Sequence, residues 1–235
     1  MKLPTIRRVA RATLDIAPGP PQWQTGNTAL LDAHWAQASA ANEAIFDGQV
    51  FLASEGRIAD GTVHVTCHLS RFATLDWWRT HGKPEIGFRN IFGSMVLRGS
   101  DGALIGGLMA PHTSVPGLFC FPGGSFDRAD IDGTGIDAAG GILRECVEET
   151  GLAPGLLTVQ PGYLAGLGAR EICIARIADF AEPAEALLAR IEDWSARQTR
   201  PEFSEFRILR QPSDLALDDG HGLTRALAGF VLGGG

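Results

Sequence analysis

The sequence has few cysteines, and none of them are paired by spacing. Cys67, Cys120, Cys146 and Cys173 are far apart and form no CxxC pair. This argues against a zinc knuckle or dithiol redox centre and leaves buried free thiols as the expectation. Such usage fits a reducing, cytoplasmic setting, with two disulfides as the alternative. No apolar run reaches the roughly 18 residues that a bilayer-spanning helix needs. The opening MKLPTIRRVARATLDIAPGPP is Arg-rich but has no apolar core. A secretory signal is therefore not expected, and an organelle transit peptide is the minor alternative. Positive charge is also short: 20 Lys and Arg against 27 Asp and Glu give a net charge of -7. A broad electrostatic binder of nucleic acid usually carries the opposite sign. Neither a nucleic-acid nor a membrane partner is expected. There is no internal repeat, and Tyr163 is the only tyrosine.

The chain has 235 residues, 45% hydrophobic and 20% charged. That is enough for a core and too apolar for wholesale disorder. An N-terminal arm ends at the rigid stretch Pro18-Gly19-Pro20-Pro21. Leu30, Leu31, Trp35, Ala38 and Ile45 recur at helical spacing. Residues 49–53 and 62–69 read as strands, the second alternating Val63, Val65, Cys67 and Leu69 on one face. Residues 74–80 read as a short helix stopped by His81-Gly82. A second module starts near Ile86. Residues 94–98 and 103–110 form a hairpin across Gly99-Ser100-Asp101-Gly102. Residues 118–121 are a strand running into Pro122-Gly123-Gly124, and 137–150 a helix closed by Gly151. Residues 171–178 read as a strand, with helices at 184–198 and 223–232. This mixture predicts an α/β or α+β fold rather than a helix bundle.

The chemistry concentrates in Arg144-Glu145-Cys146-Val147-Glu148-Glu149-Thr150-Gly151-Leu152. On a helix, Glu145 is three residues from Glu148 and four from Glu149, so the three carboxylates share a face. Like charges so placed repel unless a cation sits among them, and hard divalent ions choose carboxylate oxygens. The ordinary alternative is a solvated acidic helix face. Against it stands the setting: an apolar strand and a Pro-Gly-Gly turn upstream, an Arg before the first Glu, and a Gly at the end.

Gly124 together with Arg144–Leu152 resembles the Nudix box: a Gly, five residues, a Glu, seven residues, then R-E-U-x-E-E-x-G-U with U apolar. The second half matches at every specified position if Cys146 counts as apolar, a chance event on the order of 10⁻⁴ or less. The resemblance spans about residues 88–215. It implies an α/β/α Nudix sandwich with a mixed sheet over residues 87–235, behind an α+β extension over 1–86. The first half departs from the pattern. Nineteen residues separate Gly124 from Arg144 where the family has 13, an insertion of six. Ile136 stands where the family has its first Glu. Asp127, Asp130, Asp132 and Asp137 are the aspartates of the longer loop that can substitute. N-capping is the favoured role for Asp137.

The resemblance implies that Glu145, Glu148 and Glu149, with the Gly124 carbonyl, ligate Mg²⁺ or Mn²⁺. Arg144 would orient a glutamate by a charge-assisted hydrogen bond. The implied activity is pyrophosphohydrolysis of a nucleoside diphosphate joined to another group, a small-molecule substrate. A general base or further ligand from a later loop is implied at Glu202 or Glu205, with Glu171 weaker because Arg170 adjoins it. Arg128 and Tyr163 are further substrate-binding candidates, as are Arg89, Arg98 and His112 with less weight. Trp77-Trp78 reads as packing rather than base stacking. Trp35 and Ile45–Leu52, followed by a strand and the Thr74–Trp77 helix, resemble the N-terminal extension of Nudix UDP-sugar diphosphatases. That resemblance implies UDP-glucose or UDP-galactose. Coenzyme A, dinucleotide or oxidised-nucleotide diphosphatases are the alternatives, as is a nucleotide-sensing module without turnover. The apolar N-terminal segments suit either a homodimer interface or completion of a monomer core.

Overall fold

The computed structural model describes residues 4–215 and 222–234. In chain order it has strands β1 (Ile6–Val9) and β2 (Arg11–Ile16), and helices α1 (Gln22–Gly26) and α2 (Thr28–Ala41). Strands β3 (Gln49–Ala59) and β4 (Thr62–Arg71) follow, then helix α3 (Phe72–Thr80). Next come β5 (Arg89–Arg98), β6 (Leu104–Met109), β7 (Phe119–Cys120), β8 (Ile131–Asp132) and β9 (Gly135–Ile136). Helix α4 (Ala138–Thr150) leads to β10 (Thr158–Val159), β11 (Tyr163–Leu167) and β12 (Glu171–Asp179). Helix α5 (Ala184–Ser195), β13 (Phe203–Leu209) and α6 (Gly222–Leu232) end the described chain.

All thirteen strands belong to one mixed sheet, with β1-β11-β12-β5-β3-β4-β2-β9-β8 as its main path. Strands β12 and β5 are parallel, as are β2 and β4; the other pairs are antiparallel. The period of two decides which core each strand residue enters. On β5, Ile91, Met95 and Leu97 face the core under α4 and α5, where Ile142, Cys146, Leu187 and Ile191 are buried. Val96 faces the opposite core under α6, with Leu223, Leu227 and Val231. Each such aliphatic side chain stabilises the fold by roughly 1.5–3 kcal/mol through burial. Helices on both faces of a mixed sheet make an α/β/α sandwich, the expected fold class.

The expected elements all occur, several of them longer than the pattern suggests. The N-terminal arm holds two strands that its pattern does not announce. Only Ile6, Val9 and Leu14 of these strands are buried, so alternation is faint. The sheet also runs through residue 86: β1 pairs β11, and β3 meets β5 at Leu52–Asn90 and Ala53–Arg89. A third cluster, Val50, Leu52, Leu75, Trp78 and Phe88, packs α3 against β3. Trp78 is fully buried and donates its indole N–H to the Pro84 carbonyl at 2.9 Å, a packing role as expected. All four cysteines are free, three of them buried. No described helix is long and apolar enough to cross a membrane.

Candidate active site

Helix α4 begins where its sequence says it should. The Asp137 carboxylate accepts the Gly140 N–H at 2.9 Å, an N-cap. It ends at Gly151, which adopts φ +67° and lies under the Trp194 ring. One stripe of α4, Ile142, Cys146 and Glu149, faces inward. An inward glutamate on an apolar stripe needs a partner. Glu149 has one: its Oε2 accepts the Gly123 N–H at 2.6 Å. Among the described residues no cation lies within ion-pair distance of it. Burial holds its carboxyl well above the ordinary range, and Glu202, Glu145 and Glu148 push it further despite the Gly123 N–H.

Glu145, one turn earlier, lies against Gly124. A Cβ on Gly124 would stand 3.0 Å from Glu145 Oε2, so a side chain there would crowd this carboxylate. Burial pushes the Glu145 carboxyl up to about 7; Arg144 opposes, while Glu148 and Glu202 add to the rise. The Gly124 carbonyl accepts the Gly93 N–H at 2.8 Å, which ties the turn to β5. Glu148 sits apart: its side chain is 59% exposed, and its Oε2 accepts from Arg144 at 3.1 Å. The shared helix face therefore brings Glu145 and Glu149 to the glycine turn and leaves Glu148 at its outer edge.

Arg144 binds three acids. It lies 2.7 Å from Glu145 Oε1, 3.1 Å from Glu148 Oε2 and 3.1 Å from Asp130 Oδ1. Burial works against its charge, but these carboxylates outweigh burial and raise its pKa. Asp130 closes a 3₁₀ turn at Arg128–Asp130 and is buried. Its Oδ2 also accepts the Asp127 N–H at 2.9 Å. A Cβ on Gly141 would stand 2.7 Å from Asp130 Oδ1, so that glycine makes room for the acid against the helix. Of the four loop aspartates, Asp130 is the one that reaches Arg144. Asp127 caps the 3₁₀ turn, Asp132 is exposed, and Ile136 is buried in β9.

Above the glycine turn lies a cavity of about 540 Å³. Glu145, Gly123, Gly124 and Glu202 line one part of it. Glu202 is exposed just before β13, and its carbonyl accepts the Ala110 N–H at 2.7 Å. The residues before β3 and helix α3 supply another wall, through Ile45, Phe46, Phe72 and Arg79. Phe46 is 79% exposed. His112 lines the cavity too, and its carbonyl accepts from Asn42 at 3.0 Å.

Other residues singled out by sequence fall elsewhere. Glu205 pairs with Arg207 at 2.7 Å and does not line the cavity. Arg128 is exposed and also does not line it. Tyr163 lies on β11 opposite Val9, with the Arg176 guanidinium 5.6 Å from its ring centre. Arg98 pairs with Asp179 at 2.7 Å, and Arg89 donates to the Gly168 carbonyl. Glu171 binds Lys83 at 2.7 Å, while Arg170 binds Glu85. Two cavity residues escape a sequence reading altogether. Arg79 is the one cation of α3, and Asn90 is an amide in a hydrophobic strand. A polar residue in an apolar run was their only signal.

Among the described residues no group of three or more His, Cys, Asp or Glu side chains is gathered to hold a metal ion. The donor chemistry nevertheless suits a hard divalent cation. Glu145 and Glu202 raise the proton affinity of Glu149, Glu202 also raises that of Glu145, and buried Glu149 has no counter-charge among the described residues.

No family model matches the chain, and no curated protein does. Solved structures similar to it include a Nudix hydrolase from M. Smegmatis, RenU. That protein is 23% identical over 59% of this chain and 80% of its own, with a TM-score of 0.38. The Bacillus subtilis pyrophosphohydrolase BsRppH is 17% identical over 55% of this chain and 66% of its own, with a TM-score of 0.31. Neither likeness is deep enough to assign a role to any residue, so the roles rest on the geometry.

Proposed function

We propose that the chain is a Nudix-type pyrophosphohydrolase that cleaves a nucleoside diphosphate joined to a second group. The observation that carries this reading is the pair Glu145 and Glu149, brought by α4 against Gly123 and Gly124, with Glu145 lining a cavity that Glu202 also lines from just before β13. Glu145 and Glu149 would hold Mg²⁺ or Mn²⁺, with Glu148 at the margin. When bound, the ion neutralises the diphosphate oxygens and eases attack by water. The chain's own part is positional. Gly123 N–H fixes the Glu149 carboxylate, and Arg144 fixes Glu145 while drawing Glu148 and Asp130 together. Glu202, exposed at the cavity, would take the proton that water loses. Water adds to one phosphorus, the bond to the bridging oxygen breaks, and two phosphate monoesters leave.

The second group is a sugar in the finer form of this reading, which makes the substrate a UDP-sugar. The extension over residues 1–86 then serves as the cavity wall that selects it. The free thiols suit a reducing compartment, so the cytoplasm is the proposed location. The sensor alternative drew its support from Ile136 in place of an acid. Asp130 supplies an acid to Arg144 from another loop position, which weakens that alternative.

A mass-spectrometric product screen tests the reading. The protein and its Glu149→Gln variant are incubated with Mg²⁺ and UDP-sugars, ADP-ribose, dinucleotides, coenzyme A and nucleoside triphosphates. A nucleoside monophosphate released by the unmodified protein alone is expected. Nucleotide binding without any product would overturn hydrolysis in favour of sensing.

A further inference from the structure

The cavity has a polar region that the carboxylates do not occupy. Arg79 of α3 lines it and donates to Ser114 Oγ at 3.0 Å. Its neighbouring acids are engaged by other groups: Asp76 meets His34 Nε2 at 2.8 Å, and Glu171 meets Lys83 Nζ at 2.7 Å. Among the described residues no carboxylate comes within ion-pair distance of Arg79, although burial disfavours its charge. A guanidinium has five N–H donors, so most remain available to a ligand.

Asn90 lines the same cavity from β5 and is only 2% exposed. Its side-chain oxygen is buried without a hydrogen-bond partner. Buried acceptors are almost always satisfied, and one that is not marks a place for a missing donor. One cavity wall therefore holds spare donors from a cation and, beneath its surface, an unmet acceptor of an amide. An anionic oxygen satisfies the first, and a hydroxyl or N–H satisfies the second. A bare polyphosphate tail carries acceptors only and leaves Asn90 unmet. An alkyl or acyl group also leaves it unmet.

We propose that Arg79 and Asn90 form the subsite for the half of the substrate beyond the scissile linkage, and that this half is a phosphate bearing a hydroxyl-rich group such as a sugar. Arg79 binds the phosphate oxygens, and Asn90 Oδ1 accepts from a hydroxyl. This subsite rests on the diphosphatase reading and refines it. It also gives the N-terminal extension a task in recognition, since α3 lies within it.

The test uses the full chain and its Arg79→Gln, Arg79→Lys and Asn90→Leu variants, each checked for folding by circular dichroism. Turnover of UDP-glucose with Mg²⁺ is measured, and UDP-glucose binding without metal is followed by calorimetry. Arg79→Gln is expected to raise KM and Kd about tenfold or more with a much smaller change in kcat. Arg79→Lys should recover part of the loss. Asn90→Leu should weaken UDP-glucose binding while leaving UTP binding unchanged, and it serves alone if Arg79→Gln does not fold. Unchanged KM and Kd in the folded variants overturn the subsite but leave the diphosphatase reading standing. Failure of the unmodified protein to bind UDP-glucose also overturns the subsite. An unmodified protein that binds UDP-glucose but cleaves no diphosphate overturns the hydrolytic reading; the binding losses then still decide the subsite.

Discussion

Arg144 donates to Asp130, an acid fourteen residues upstream on a 3₁₀ turn, at 3.1 Å, and thereby locks the long loop against α4. The two partners are unequally buried: the Asp130 side chain is 2% exposed and the Arg144 side chain 30%. Losing Arg144 leaves a buried, uncompensated carboxylate, whereas losing the Asp130 charge leaves Arg144 with two other acids. Arg144→Leu should therefore cost about 3–5 kcal/mol. Asp130→Asn should cost about 2 kcal/mol, the loss of charge-assisted hydrogen bonds. Urea denaturation midpoints check the order; equal costs would contradict it, and negligible costs in both variants would show that the loop does not depend on this pair.

Glu149 is held by one backbone N–H and no cation, so its charge is unfavourable without metal. Glu149→Gln keeps the shape and can still accept from Gly123. The variant should lose at least about a hundredfold in kcat, because a charged group acting on the reaction is gone. Its metal-free melting temperature should stay level or rise. A fall in both activity and stability would make Glu149 a structural residue instead.

Much of this site is local and therefore legible in the sequence. Asp137, the spacing of the three glutamates and Gly151 define α4 without reference to any other element. Glu202 is legible only as an acid after the helix; its place at the cavity depends on β13 pairing with β6. The choice of Asp130 among four aspartates depends on the path of an inserted loop, which no pattern records. Glu148 shows the limit of helical geometry, since sharing a face with Glu145 does not stop Arg144 from drawing it outward. Arg79 gains its meaning from the lack of a carboxylate partner among the described residues and Asn90 from an unmet oxygen, which only the packed chain reveals. Tyr163 drew attention as the only tyrosine, yet rarity carries no information about position.

The raised carboxyl of Glu145 sets a pH dependence with a definite sign. Its value moves from an ordinary 4.5 to about 7 in the folded chain. Between those values the folded state binds more protons than the unfolded state, so stability falls as pH rises. The contribution is complete below the ordinary value and is lost on passing about 7, a change on the order of 3 kcal/mol. Glu149 acts with the same sign. The metal-free melting temperature should therefore drop from about pH 5 to about pH 7.5, and excess Mg²⁺ should restore part of it by binding the ionised folded state. Thermal melts across that range with and without Mg²⁺ check this; stability that climbs with pH would contradict the burial of these acids.

Gly124 lets the Glu145 carboxylate lie closer to the turn than a side chain at that position would. An added Cβ would stand 3.0 Å from Oε2 and 3.2 Å from Cδ. The Gly124 backbone is not in the left-handed region, so alanine can adopt its conformation. The strain of Gly124→Ala therefore falls on the Glu145 carboxylate, which must withdraw from the turn. Gly155→Ala is the control, because a Cβ there meets nothing within 4 Å. Both variants should fold. Gly124→Ala should lose roughly three- to tenfold in turnover, less than the loss a full 1 Å misplacement brings in a positioned site, while Gly155→Ala keeps full activity. Restoration of Gly124→Ala activity by a shorter acid, Glu145→Asp, would show that the lost rate came from crowding of this carboxylate and not from the turn itself.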